Sequence, residues 1–126
     1  MGALSAELAE ELARTAGMSC AICDRDAVIA AAGGAKKDVL EKNISAELEQ
    51  LMEKRLNYER EPSDAPDVLL CAQDSYAVVT AAPIITDGDV SGCVAFVSEK
   101  EDEHADEVLL KLCQSAAQFL SKRIAV

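Results

Sequence analysis

Two apolar runs separated by three charged residues constrain this chain more than any other feature. Met18 to Cys23 and Ala27 to Ala32 flank Asp24-Arg25-Asp26, and Gly33-Gly34 follows the second run. The charged triplet predicts a turn, and the runs predict the two arms of a β-hairpin. Neither arm alternates apolar with polar residues, so the hairpin is expected to be buried on both faces. A sheet that begins this way needs cover on each side, and the rest of the chain has to supply it.

Helical periodicity appears at both ends. Leu4, Leu8 and Leu12 recur every four residues with Ala9, Ala13 and Ala16 beside them and Glu7, Glu10 and Glu11 opposite. This predicts an amphipathic helix over about 3–16 that stops at Gly17. A closing helix is expected over about 103–124, where Val108, Leu109, Leu112, Ala116, Phe119, Leu120 and Ile124 form a broad stripe. Its acidic start and its Lys122-Arg123 end suit the helix dipole.

Between the hairpin and the closing helix, Lys36 to Lys42 suggests a short helix. Ser45 suits the N-cap of the next, with Glu47 and Glu49 in its first turn and Leu48, Leu51 and Met52 on its apolar face. Asn57 to Asp67 carries two of the three prolines among charged residues and reads as a loop. Val68–Ala72, Tyr76–Ile85 and Ser91–Ser98 are expected as three more strands, with turns at Asp74-Ser75 and Asp87-Gly88-Asp89. Pro83 implies a bulge or strand end.

The order of elements is that of one α+β domain over residues 1–126. It predicts a mostly antiparallel five-stranded sheet, the terminal helices on one face, and the shorter helices and loop on the other. Half of the residues are apolar, yet only 3% are aromatic and Trp is absent. The core must therefore be built from Ala, Val, Leu and Ile, and the composition excludes a disordered chain.

Charge narrows the partners. The formal net charge is −11, so the chain by itself is expected to bind neither nucleic acid nor an anionic membrane. The acidic N-terminal segment is not a secretory signal, and no apolar stretch approaches the ~18 residues of a membrane span. Five cysteines without an export signal read as reduced thiols in a cytoplasmic protein.

Ile22-Cys23-Asp24-Arg25-Asp26, Ile29-Ala30, Gly33, Lys36-Lys37-Asp38, Leu40 and Ile44-Ser45 follow one another in a distinctive order. With Tyr76, Pro83-Ile84, Asp87-Gly88-Asp89, Gly92, Ala116-Ala117 and Phe119-Leu120, they resemble the GAF domain of the stage V sporulation protein T family, AbrB-type transcriptional regulators. The resemblance runs from about Leu4 to Ile124. It implies a GAF fold, dimerisation through the terminal helices and a sensory role in a regulator of spore-forming bacteria. In that family a swapped-hairpin DNA-binding domain precedes the GAF domain, whereas only Met-Gly precedes Ala3 here. An excised fragment and a free-standing relative both fit.

Several residue sets bear on chemistry. Cys20-Ala-Ile-Cys23 has CxxC spacing, but residues three apart on a strand point to opposite faces, so the two sulfurs are expected to diverge into the core. A zinc site needs about four ligands, and the single histidine, His104, lies in the acidic stretch Glu99–Glu107, so no metal and no cofactor are expected. Cys23, Cys71 and Cys93 lie on three different strands, which leaves a cysteine-based methionine sulfoxide reductase as the enzymatic alternative; the main expectation is no enzyme. Gly33-Gly34-Ala35-Lys36-Lys37 outlines an anion-binding loop without P-loop spacing.

Cys23, Lys36, Lys37, Tyr76 and Thr80 are thus the candidate contacts for an unknown small-molecule effector. Leu4, Leu8, Leu12, Leu112, Ala116, Phe119 and Leu120 are the candidate interface of a homodimer. The leading expectation is a ligand- or signal-responsive dimerising regulatory domain. The second is an oligomerisation module whose pocket is filled by its own side chains.

Overall fold

The computed structural model describes residues 2–61, 66–73 and 75–124. Helix α1 (Gly2–Ala16) leads into strands β1 (Ser19–Asp24) and β2 (Val28–Ala32), helices α2 (Lys36–Val39) and α3 (Ala46–Glu53), strands β3 (Tyr58–Glu59), β4 (Ala77–Thr86) and β5 (Asp89–Ser98), and helix α4 (Glu107–Ile124).

Local chemistry sets the boundaries. Gly17, at φ 67°, ends α1 with its N–H donating to the Ala13 carbonyl at 2.8 Å, a left-handed cap open to glycine at little cost. In the β1–β2 turn, Asp24 Oδ1 accepts from the N–H groups of Asp26 and Ala27, each at 2.8 Å, which fixes an Asx turn. Ser45 caps α3: its Oγ accepts from the Leu48 N–H at 3.1 Å and donates to the Leu69 carbonyl at 2.6 Å. Asp87 and Gly88 both have positive φ, 51° and 84°, as a tight two-residue hairpin turn between β4 and β5 requires.

All strand pairs are antiparallel, in the order β2-β1-β5-β4-β3. The sheet carries a core on each face, as the non-alternating hairpin demanded. On one face Ile22, Val79, Ile84, Val94 and Phe96 meet Ala9 and Leu12 of α1 and Leu109, Cys113, Ala116 and Leu120 of α4. On the other, Ala21, Cys23, Val78, Ala81, Cys93 and Val97 meet Val39, Leu48, Met52 and Leu70. The small strand residues let helices and segments approach closely, and this explains how the domain does without Trp.

Three expectations need correction. Val68–Ala72 forms no strand of the sheet; Leu69 and Cys71 make isolated bridges to Ala77 and Ile44. Its backbone is used to tie α3 to β4, through Ser45 N–H to the Leu70 carbonyl and Val78 N–H to the Val68 carbonyl, while Leu70 fills the core. The fifth strand is instead Tyr58–Glu59, inside the expected loop, paired with Ala81 and Thr80. Helix α4 begins at Glu107 and not at 103, because Asp106 Oδ1 accepts the Leu109 N–H at 2.8 Å, an N-cap geometry that fixes the first turn.

Strand β4 runs through Pro83, and the irregularity expected there comes one residue later, where the β4–β5 register shifts between Ile84 and Ile85. Pro83 faces Cys93 within β4, and β3 reaches only as far as Ala81 on that edge, so no pairing strand needs the N–H that proline lacks. Of the expected Asp74-Ser75 turn, Asp74 lies outside the described residues, as does the side chain of Ile124.

Candidate functional site

The face of the sheet beneath α2 and α3 holds the first group of singled-out residues. Cys20 and Cys23 diverge: Cys20 belongs to the layer under the terminal helices, and Cys23 to the opposite one. In the antiparallel register Cys23 lies directly across from Cys93. Cys71 joins the same layer, so the structure brings together the three cysteines that the sequence spread over separate segments. Cys113 stays with α4, where its thiol approaches the Thr80 carbonyl at 3.9 Å.

All five cysteines are buried, and none is in a disulfide. The hydrogen bond to Cys93, followed by burial, pushes the Cys23 thiol well above the ordinary cysteine range. Burial, then the proximity of Cys93, pushes Cys20 up to about 12. Burial likewise raises Cys113. At rest Cys20, Cys23 and Cys113 are thus protonated thiols shielded from solvent. Cys71 is nearest the outside: it lines a surface opening of about 210 Å³ with Lys42, Asn43, Ala72 and Gln73.

The remaining effector candidates divide between interior and rim. Thr80 is fully buried, and its hydroxyl donates to the Tyr58 carbonyl at 2.9 Å. It thus holds β3 in place. Tyr76 is buried and donates its hydroxyl to Asp38 Oδ2 at 3.1 Å, which fastens α2 to the start of β4. Burial, with that hydrogen bond, pushes the Tyr76 phenol up to about 12. Lys36 and Lys37 are exposed and share with Gly33, Gly34 and Leu40 an open groove of about 590 Å³. A second groove, of about 470 Å³, shares Gly33 and Gly34 and extends to Met18 and Arg14.

The terminal helices form the third group. Leu12, Ala116 and Leu120 are 7%, 4% and 0% exposed and are taken up by the chain's own core, which leaves little of them for a contact with a second copy. A helix lying on a sheet buries the centre of its apolar stripe against that sheet first. Leu4, Leu8 and Leu112 are partly buried at the margin of the same core. Phe119 is 38% exposed, with the Arg123 guanidinium 5.1 Å from its ring centroid. Val108, 66% exposed, is the outward apolar residue that the candidate set omitted. The width of the α4 stripe was the available signal, since seven apolar residues exceed what one sheet contact needs.

Arg60 gave no signal in sequence at all. It is 7% exposed and sits beyond β3, where its Nη1 donates to the carbonyls of Lys100 and Glu103 at 2.8 and 3.0 Å. Among the described residues no group of three or more His, Cys, Asp or Glu is placed to hold a metal ion. None of their helices is long and apolar enough to cross a membrane.

An antiparallel sheet in this order, with both terminal helices on one face and short helices on the other, defines a GAF-like domain. Solved structures share it. The cofactor-binding GAF domain of the nutrient sensor CodY from Clostridium difficile superposes with a TM-score of 0.66, at 14% identity over 94% of this chain and 83% of that one. A type II free methionine-R-sulfoxide reductase from Thermoplasma acidophilum does so with a TM-score of 0.70, at 13% identity over 96% and 89%.

The family follows from sequence. The chain belongs to the family described as stage V sporulation protein T C-terminal, transcription factor, whose model matches residues 1–125. It is 33% identical over 124 residues to stage V sporulation protein T of Bacillus subtilis (strain 168), covering 98% of this chain and 68% of that protein. It is a GAF regulatory domain of the transcription-factor kind.

Proposed function

We propose that this domain is a dimerising, effector-responsive module of a cytoplasmic transcription regulator, without enzymatic activity of its own. One observation carries the reading: an apolar band of Leu4, Leu8, Val108, Leu112 and Phe119 remains on the two terminal helices after the sheet has taken its share. A second copy covers that band, joining α1 and α4 of each protomer in a four-helix arrangement. The band is flanked by Glu7, Glu11 and Lys111, the polar rim that such an interface needs.

The effector is a small molecule bound on the other side of the molecule. Lys36 and Lys37, beside Gly33-Gly34, offer it cations at the rim, and the Tyr76–Asp38 hydrogen bond ties α2 to the sheet and carries a shift of α2 inward. The CodY domain, titled as cofactor binding, supports a ligand role for the fold. An effector acts here only by binding two arrangements of the helices unequally.

The oligomerisation module without a ligand is the second reading. Val39, Leu48, Met52 and Leu70 already occupy the layer between the sheet and α2–α3, and this favours it. Native mass spectrometry of the purified chain separates the two. A dimer that gains a discrete mass from a metabolite extract, with a raised melting temperature, supports the sensor. A dimer that no metabolite stabilises supports the module, and a monomer at tens of micromolar would overturn both.

A further inference from the structure

We propose that Cys23 and Cys93 form a reversible disulfide site, an oxidisable dithiol that takes small neutral disulfides as oxidant, with Cys71 as its entry thiol. Cys23 and Cys93 face each other in register on β1 and β5. Residues so paired in an antiparallel ladder have Cα atoms about 4.5–5.5 Å apart, inside the roughly 4.4–6.8 Å range of disulfides. Both side chains lie in the layer under α2 and α3.

The other thiols sort themselves by position. Cys20 and Cys113 lie beneath the terminal helices, on the far face of the sheet. Cys71 shares the layer of the pair, close enough to Cys23 for the two thiols to influence each other, and it lines the opening beside Lys42, Asn43 and Gln73. The segment carrying it lies outside the five strands, joined to its neighbours by the bridges at Leu69 and Cys71 and by hydrogen bonds to Ser45, Tyr76 and Val78, and the exchange requires local opening of this segment at Cys71.

The chemistry is thiol–disulfide exchange. Cys71 attacks a small disulfide RS–SR, forming Cys71–S–SR and releasing one RSH. Cys23 displaces the second RSH by attacking the Cys71 sulfur, and Cys93 then attacks the Cys23 sulfur and returns Cys71 as a thiol. In sum RS–SR takes two electrons and the two thiol protons from Cys23 and Cys93, giving two RSH and the Cys23–Cys93 bond. A thiol reductant reverses it. The domain thereby gains a second input, oxidant in place of effector, on the sheet face opposite the terminal helices.

The test treats the native chain with bis(2-hydroxyethyl) disulfide and follows intact mass and peptide maps. The expected product has lost two hydrogens, links the Cys23 and Cys93 peptides, and reverts with dithiothreitol. Cys71→Ser is expected to slow its formation by at least about tenfold while the product stays the same, and Cys93→Ser to leave a disulfide involving Cys71. Cys20→Ala and Cys113→Ala are expected to leave the Cys23–Cys93 product unchanged. A link between any other pair, no link at all, or oxidation of all five thiols at the rate of global unfolding would overturn the proposal. Mapping of the wild-type product alone decides this if a core serine variant fails to fold, and Cys→Ala versions repeat the kinetics.

Discussion

Arg60 and Asp67 meet at two points, Nε to Oδ1 at 3.0 Å and Nη2 to Oδ2 at 2.9 Å. With the carbonyls of Lys100 and Glu103 also on its guanidinium, Arg60 joins β3 to the connection that leads into α4. Its side chain is 6% exposed and that of Asp67 is 43% exposed.

Removing Arg60 leaves two carbonyls and a carboxylate without their donor. Arg60→Ala is expected to destabilise the domain by about 3 kcal/mol, the low end for breaking a buried pair because Asp67 keeps some solvent. Arg60→Lys is expected to recover little, since an ammonium lacks the planar fork that two-point pairing uses. Urea unfolding of the three proteins measures this. A loss under about 1 kcal/mol for the alanine variant would make the guanidinium an ornament of the fold and not its fastening.

Gly92 is fixed by close approach. A Cβ there would lie 1.9 Å from the Cys23 carbonyl oxygen and 2.9 Å from its carbon, both backbone atoms of the adjacent strand. Gly92→Ala is therefore expected to pull β5 from β1 at Cys23 and Asp24 and to cost about 3 kcal/mol or more, at the upper end of overpacking. Gly34, with nothing within 4 Å, is the control: Gly34→Ala is expected to change the urea midpoint little.

How much of this was legible depended on whether the signal was local. The non-alternating runs Met18–Cys23 and Ala27–Ala32 announced a sheet covered on both faces, and Gly17, Asp24, Ser45 and Asp87-Gly88 announced their turns and caps, because each acts on its own neighbours in sequence. Tyr58–Glu59 could not be read as a strand: two residues carry no period, and the pairing is made by Thr80 and Ala81 some twenty residues away. Val68–Ala72 looked like a strand because apolar content alone does not distinguish a ladder from a crossing segment. The grouping of Cys23, Cys71 and Cys93 was legible from their spread over separate apolar segments, but which two stand opposite was not, because register across β1 and β5 sets it. The partner of the Thr80 hydroxyl, the Tyr58 carbonyl, was not legible either, because it lies 22 residues away in the sequence.

Alkaline pH is expected to weaken the fold earlier than its acidic composition suggests. Burial pushes Tyr76 and Cys20 each up to about 12, while the unfolded chain releases these protons near pH 10 and 8.5. The native state holds the protons longer, so the stability they contribute is fully present below the unfolded values and falls as pH rises toward about 12. Urea midpoints taken across this range should decline from about pH 9. Cys20→Ala should flatten the first part of the fall, and Tyr76→Phe the part above about pH 10. A midpoint unchanged to about pH 11 would show that these groups meet water in the native state.

The terminal helices make the sharpest prediction, because exposure assigns two roles to neighbouring residues of α4. Leu120 is fully buried against the chain's own sheet, so Leu120→Ala is expected to cost about 2–5 kcal/mol in protomer stability by leaving a cavity. Val108 and Phe119 are 66% and 38% exposed, and a charge at either meets no protomer core. Val108→Asp and Phe119→Glu are expected to keep the helical signal and the tertiary fold while weakening self-association at least about tenfold, about 1.4 kcal/mol, by placing charge in an apolar contact. Sedimentation equilibrium gives the association constant, and urea unfolding at a concentration where all variants are monomeric gives the protomer stability. If the two aspartate and glutamate variants associate as the wild type does, the band on α1 and α4 is not the dimer interface. If instead they unfold the protomer, the outer stripe of α4 is core, and the second copy must bind elsewhere.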